Sequence, residues 1–91
     1  MSVDRFLLAR IEEDKHLARK AYHLTMSQPE LERILKTCAA RRSIVLLYHE
    51  AIDEQSPFAH AYLIAVKTLT AIYNEHPDYK PDWAPPTPKR R

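Results

Sequence analysis

The first spacing that suggests chemistry is Glu13-Asp14-Lys15-His16, an E-x-x-H. Carboxylate-bridged di-metal bundles hold their ions with that spacing, but they need a second E-x-x-H and further inward glutamates. Neither occurs in this sequence, and on a helix Glu13 and His16 fall on the outer side. His49 and Asp53, at i and i+4, have a spacing for weak metal ligation at a helix end. They read instead as a solvated pair or as partners of the C-terminal helix dipole. Cys38 and His49 share a helix face but stand eleven residues apart, about 16 Å along the axis, too far for a nucleophile–base dyad within one chain. Cys38 therefore reads as a small core residue. With no glycine anywhere in the chain, a phosphate loop or dinucleotide fingerprint is excluded. The expectation is a non-enzymatic protein with no catalytic residues, no metal and no cofactor.

The elements that carry these residues are helical. A glycine-free chain of 91 residues lacks the usual means of making tight hairpins, which argues for helices joined by short polar loops. The stretch from Pro57 to Asn74 dominates. As a helix it places Phe58, Ala61, Tyr62, Ala65, Leu69 and Ile72 on one face, with Ala59, Leu63, Val66 and Tyr73 widening it. Only Lys67 carries a formal charge there. So wide an apolar surface needs cover from several directions: two other helices, plus the C-terminal tail or a second molecule.

The first helix runs from about residue 3 to 23 behind Ser2, with Val3, Leu7, Ile11, Ala18, Ala21 and Tyr22 on one face. Asp14 falls in the middle of that stripe, where an acid needs a partner. The second helix, about 28–52, opens on Ser27-Gln28-Pro29-Glu30, a serine N-cap with proline in the first turn and glutamate placed for a capping box. Leu31, Ile34, Leu35, Cys38, Val45 and Ile52 face one way, and Arg42 and His49 lie within the same stripe. Antiparallel packing about the Thr25–Ser27 turn brings Asp14 and Arg42 into reach, which predicts a structural ion pair between them. The third helix, about 57–74, starts at Ser56-Pro57 and ends at Asn74, a residue tolerant of a left-handed C-cap. The fold class is all-α: an up-down-up three-helix unit over residues 1–76 with a proline-rich extended C-terminal tail over 77–91. That tail repeats Pro77-Asp78-Tyr79-Lys80 as Pro81-Asp82-Trp83-Ala84. Its rings either lie back over the bundle or form a docking strip, and disorder is expected from Thr87 onward.

Three blocks, FLLARIEEDKHLARKA, PELERILKTCAARRSIV and KTLTAIYNEHPDYKPDW, resemble an uncharacterised family of short actinobacterial and actinophage proteins with a closing HPDYxxxW motif. The resemblance covers most of the chain and implies kinship without a chemistry. Relatives carry a long insertion between the first two blocks, where this chain has only LTMSQ. Many have a cysteine-containing loop before the last block, as if to hold a metal; here AIDEQSPFAHAY stands in its place, so no metal is implied.

What remains is recognition. Of the 14 basic residues, Lys89, Arg90 and Arg91 sit at the very end, leaving the rest nearly neutral against 12 acidic ones. Nucleic-acid binding through Arg33, Lys36, Arg41, Lys67 and the basic tail is the alternative, but the third helix is too poor in charge to read a groove. No apolar run is long enough to span a membrane, and a single cysteine suits a reducing, cytoplasmic setting. The leading expectation is a helical protein-interaction module that binds itself, as a homodimer, or a host protein. Its candidate surface comprises Ile44, Leu47, Leu63, Ile64 and Val66, with Tyr79 and Trp83 of the tail.

Overall fold

The computed structural model describes residues 1–87. Three helices, α1 (Val3–Tyr22), α2 (Gln28–Asp53) and α3 (Ala59–Thr70), form the three-helix unit, each in contact with the other two. A 3-10 turn, Ala71–Tyr73, prolongs α3, and a second, Pro81–Trp83, lies in the tail. No strand occurs among the described residues. The disorder expected from Thr87 onward falls, apart from Thr87 itself, outside them.

Local chemistry accounts for the helix ends. At α2 the Ser27 hydroxyl accepts the Glu30 N–H at 3.4 Å, and proline occupies the first turn. The other end of α2 closes without glycine. Gln55 takes φ 52°, while the Ser56 N–H donates to the Ala51 carbonyl at 2.8 Å and the Gln55 N–H to Ile52 at 3.0 Å. These are the paired bonds of a Schellman motif, in which the left-handed position normally belongs to glycine. Asn74, expected to take that conformation, keeps a right-handed φ of −63° because the chain continues through a 3-10 turn.

The core joins Phe6, Leu7 and Ile11 of α1 to Cys38 and Val45 of α2 and Val66 of α3. Thr70 is also fully buried, and its hydroxyl donates to the Val66 carbonyl at 2.7 Å. Trp83 completes the cluster from the tail. The tail therefore lies back on the bundle and is no docking strip. Phe6 is its anchor, with ring centroids 5.0 Å from Trp83, 5.2 Å from His76, 6.2 Å from Tyr79 and 6.4 Å from Tyr73. On Phe6 also rests the Arg10 guanidinium, 5.2 Å from the ring centroid, whose Nη1 is hydrogen-bonded to His76 Nε2.

The third helix is turned relative to the sequence expectation. Phe58 and Ile72, assigned to the covered face, are 66% and 56% exposed, whereas Val66, assigned to the uncovered one, is 0% exposed. The buried side runs through Leu63, Val66, Leu69, Thr70 and Tyr73. A threonine whose hydroxyl bonds its own helix backbone can sit in a core at little cost.

Gln55→Gly relieves a left-handed side-chain-bearing residue and raises stability by about 1 kcal/mol, read as an upward shift of the thermal midpoint. Trp83→Ala removes a buried ring and costs about 3–5 kcal/mol. Native Trp83 emission is blue-shifted from the hydrated position, and chain truncation after His76 lowers the melting temperature.

Candidate functional site

Asp14 obtains a partner, but not Arg42. Its Oδ2 accepts the Tyr73 hydroxyl at 2.5 Å and lies 4.0 Å from Arg41 Nη1. The ion pair expected with Arg42 is replaced by this arrangement. The reason is rotational. Cys38 and Val45 point inward with Ile34, Ile44 and Tyr48 packed beside them, which leaves Arg41 on the side that meets Asp14. Arg42, one step of 100° further round, is exposed and borders an open groove with Glu12, Lys15 and Arg19. The tyrosine was not singled out as a partner from sequence. The signal available was Asp14 itself, an acid in an apolar stripe.

Burial, and then the hydrogen bond to the Asp14 carboxylate, push ionisation of the Tyr73 hydroxyl well above the ordinary phenol range. Burial, followed by the neighbouring Asp14 charge, likewise pushes the Cys38 thiol up. A buried thiol held protonated beside a carboxylate is a poor nucleophile. At the far end of α1, His49 Nε2 is 2.7 Å from Asp4 Oδ2. Burial raises the Asp4 carboxyl, but hydrogen bonds from Ser2 and His49 outweigh it and leave it below the usual range. Asp53, the other partner read for His49, shares only an open cleft with this pair. Among the described residues no group of three or more His, Cys, Asp or Glu side chains is placed to hold a metal ion.

The residues expected to form an interaction surface divide sharply. Val66 is wholly buried, and Leu63 and Ile44 pack against the core. Tyr79 packs on the same core, which Trp83 enters. Those five leave the candidate surface. Ile64 is half-buried. Leu47 is 41% exposed and lines a shallow cleft with Glu50, Ala51, Glu54, Ser56, Phe58 and Tyr62. Phe58, Ala61, Thr68 and Ile72 are exposed along α3 and its 3-10 extension, with Ala65 half-buried between them. This strip carries no formal charge, and it is the surface that sequence reasoning missed by choosing the wrong side of the helix.

A family model matches residues 1–85. The chain belongs to a family of unknown function, DUF6221. No curated protein and no solved structure matches it. In this DUF6221 member the matched stretch runs past Trp83, so it includes the tail segment that closes the core. It also includes both partners of the Asp14–Tyr73 bond.

Tyr73→Phe removes a charge-assisted hydrogen bond and costs about 1.5–3 kcal/mol. Arg42→Met, with the arginine already in solvent, leaves the melting temperature within a degree or so of wild type. Because the folded-state tyrosine ionises later than the unfolded one, its contribution is complete below about pH 10, the unfolded phenol value. It is lost as pH rises through the raised folded value. Ultraviolet titration of the five tyrosines shows the latest component disappearing in Tyr73→Phe.

Proposed function

We propose that this protein works by contact and not by catalysis, as a small helical protein-interaction module. The observation that carries this reading is the uncharged strip Phe58–Ala61–Ala65–Ile72 with Leu47 beside it. Phe58 and Ile72, both more than half exposed, bracket small residues along this face, and a contiguous exposed apolar surface is the kind that marks an interaction site. The polar groups inside the bundle support the same view. The Tyr73 hydroxyl and the Asp14 carboxylate are occupied with each other, and the Cys38 thiol is buried. The partner is a second copy of the chain, giving a homodimer, or a protein of the host; the resemblance to actinophage proteins supports the second. Work in the cytoplasm fits a single reduced thiol. No described helix is long and apolar enough to cross a membrane.

A second reading, nucleic-acid binding, draws on Arg33, Lys36 and Arg42, which are exposed on α2 and join no ion pair among the described residues. Binding of that kind weakens steeply with salt. Retention on heparin at low salt, lost in Arg33→Ala/Arg42→Ala, decides for it.

For protein contact, the test is affinity capture with wild type and with Leu47→Glu and Phe58→Glu as paired baits. Both positions are exposed, so the variants keep the wild-type melt. A species captured by wild type and lost from both variants supports the reading. Equal capture by all three removes this face from it.

A further inference from the structure

We propose that the groove between the second half of α1 and the first half of α2 binds the phosphodiester backbone of a nucleic-acid strand. This rests on the nucleic-acid reading and gives it a place, apart from the apolar strip of α3. The near-neutral total charge hides a segregation. Residues 15–42 hold seven Lys and Arg against two acids, Glu30 and Glu32, whereas residues 43–87 hold two against six. The two helix halves fold onto each other about the Thr25–Ser27 turn, so the seven cations gather at the closed end of the α1–α2 hairpin. Five of them, Arg19, Lys20, Arg33, Lys36 and Arg42, are exposed and join no ion pair among the described residues. Cations crowded without counter-charges repel one another and gain from an anion that spans them.

Lys15, Arg19 and Arg42 line one open groove of about 470 Å³, together with Glu12, Leu35, Cys38 and Ala39. Helix register orders the three cations. Arg41 meets Asp14 at 4.0 Å, so in the antiparallel pair Arg42 stands at the Glu12 end of the groove. Lys15 comes next, and Arg19 lies a further turn along. The row is roughly 10 Å long, which matches phosphates in series better than a single one. Arginine suits that role, because its planar guanidinium offers paired N–H donors to phosphate oxygens. Glu12 is the one acid in the groove, and Lys15 Nζ holds it at 3.2 Å. Arg19 and Arg42 are left as the uncommitted charges. A groove of this kind holds a strand by its backbone without reading its sequence.

Anisotropy of a short dye-labelled single strand, titrated with the full chain at about 50 mM salt, tests this. Wild type binds, and its affinity falls steeply as salt rises. Arg19→Ala and Arg42→Ala each bind several-fold more weakly. Each also lowers the slope of log K against log salt by about 0.7, the share of one phosphate on a single strand. Lys20→Ala removes the same charge one residue away, but about 100° round the helix and outside the groove. It stays within about twofold of wild type. Glu12→Gln binds several-fold more tightly, since it removes the groove's only acid. These four positions are exposed, so the variants keep the wild-type melt. Equal losses in Arg19→Ala and Lys20→Ala overturn the groove and leave nucleic-acid binding as a diffuse attraction. Displacement of the strand by micromolar inorganic phosphate overturns the strand as ligand and makes the groove a site for a free anion. A wild type that binds no strand at this salt overturns both the groove and the reading it rests on, while protein contact through α3 is untouched.

Discussion

Phe6 lies between the first half of α1 and four rings from the end of the chain: Tyr73, His76, Tyr79 and Trp83. Aromatic groups in edge and tilted contacts add to the area they bury, and a cluster of five is a large part of a core this small. Without the tail, Phe6 and its neighbours would present an apolar opening at one end of the bundle. The prolines that rule out a fourth helix in this segment also hold it in turns, so its rings arrive with less chain entropy to lose. Lys80 adds a cation 5.6 Å from the Trp83 ring centroid on the outer side.

The Asp14–Tyr73 bond fastens the same region by different means. Tyr73 touches Phe6 with its ring and Asp14 with its hydroxyl, so one side chain joins the apolar cluster to the polar seam between α1 and α2. The turn from α3 into a 3-10 segment is what aims it there. The same seam bears on Cys38: burial first, and then the neighbouring Asp14 charge, push the thiol up from its ordinary range.

Much of the fold was legible in the residues. Three helices, their short connections and the Ser27 cap followed from periodicity and from the Ser27–Glu30 start. Helix α3, however, begins at Ala59 and not at Ser56-Pro57, the Ser56 hydroxyl accepting the Phe58 N–H in the turn ahead of it. The buried set of α1 included Val3, Leu7, Ile11 and Ala18 as expected. The errors came where periodicity is weakest. A helix apolar almost all round gives no unique inner face, and large Phe58 outweighed small Val66 and polar Thr70 in the choice. The core instead takes Thr70 because its hydroxyl is satisfied within the helix. Asp14 was recognised as needing a partner, but arginine was chosen over tyrosine because charge is visible in a sequence and the pitch change at Ala71 is not. Of the expected surface, Leu47 is the residue that stands clearly exposed. The strip beside it depended on that same rotation of α3.

The contact between α1 and the tail bears on the order in which the protein folds. Arg10 and His76 are 66 residues apart in sequence yet joined by a hydrogen bond, and Phe6 meets Trp83 across a still longer separation. Closing so long a loop costs chain entropy that only the finished aromatic cluster returns. Helix contacts between neighbours in sequence cost less to make, so the ring of Phe6 is the last part of the core to be covered.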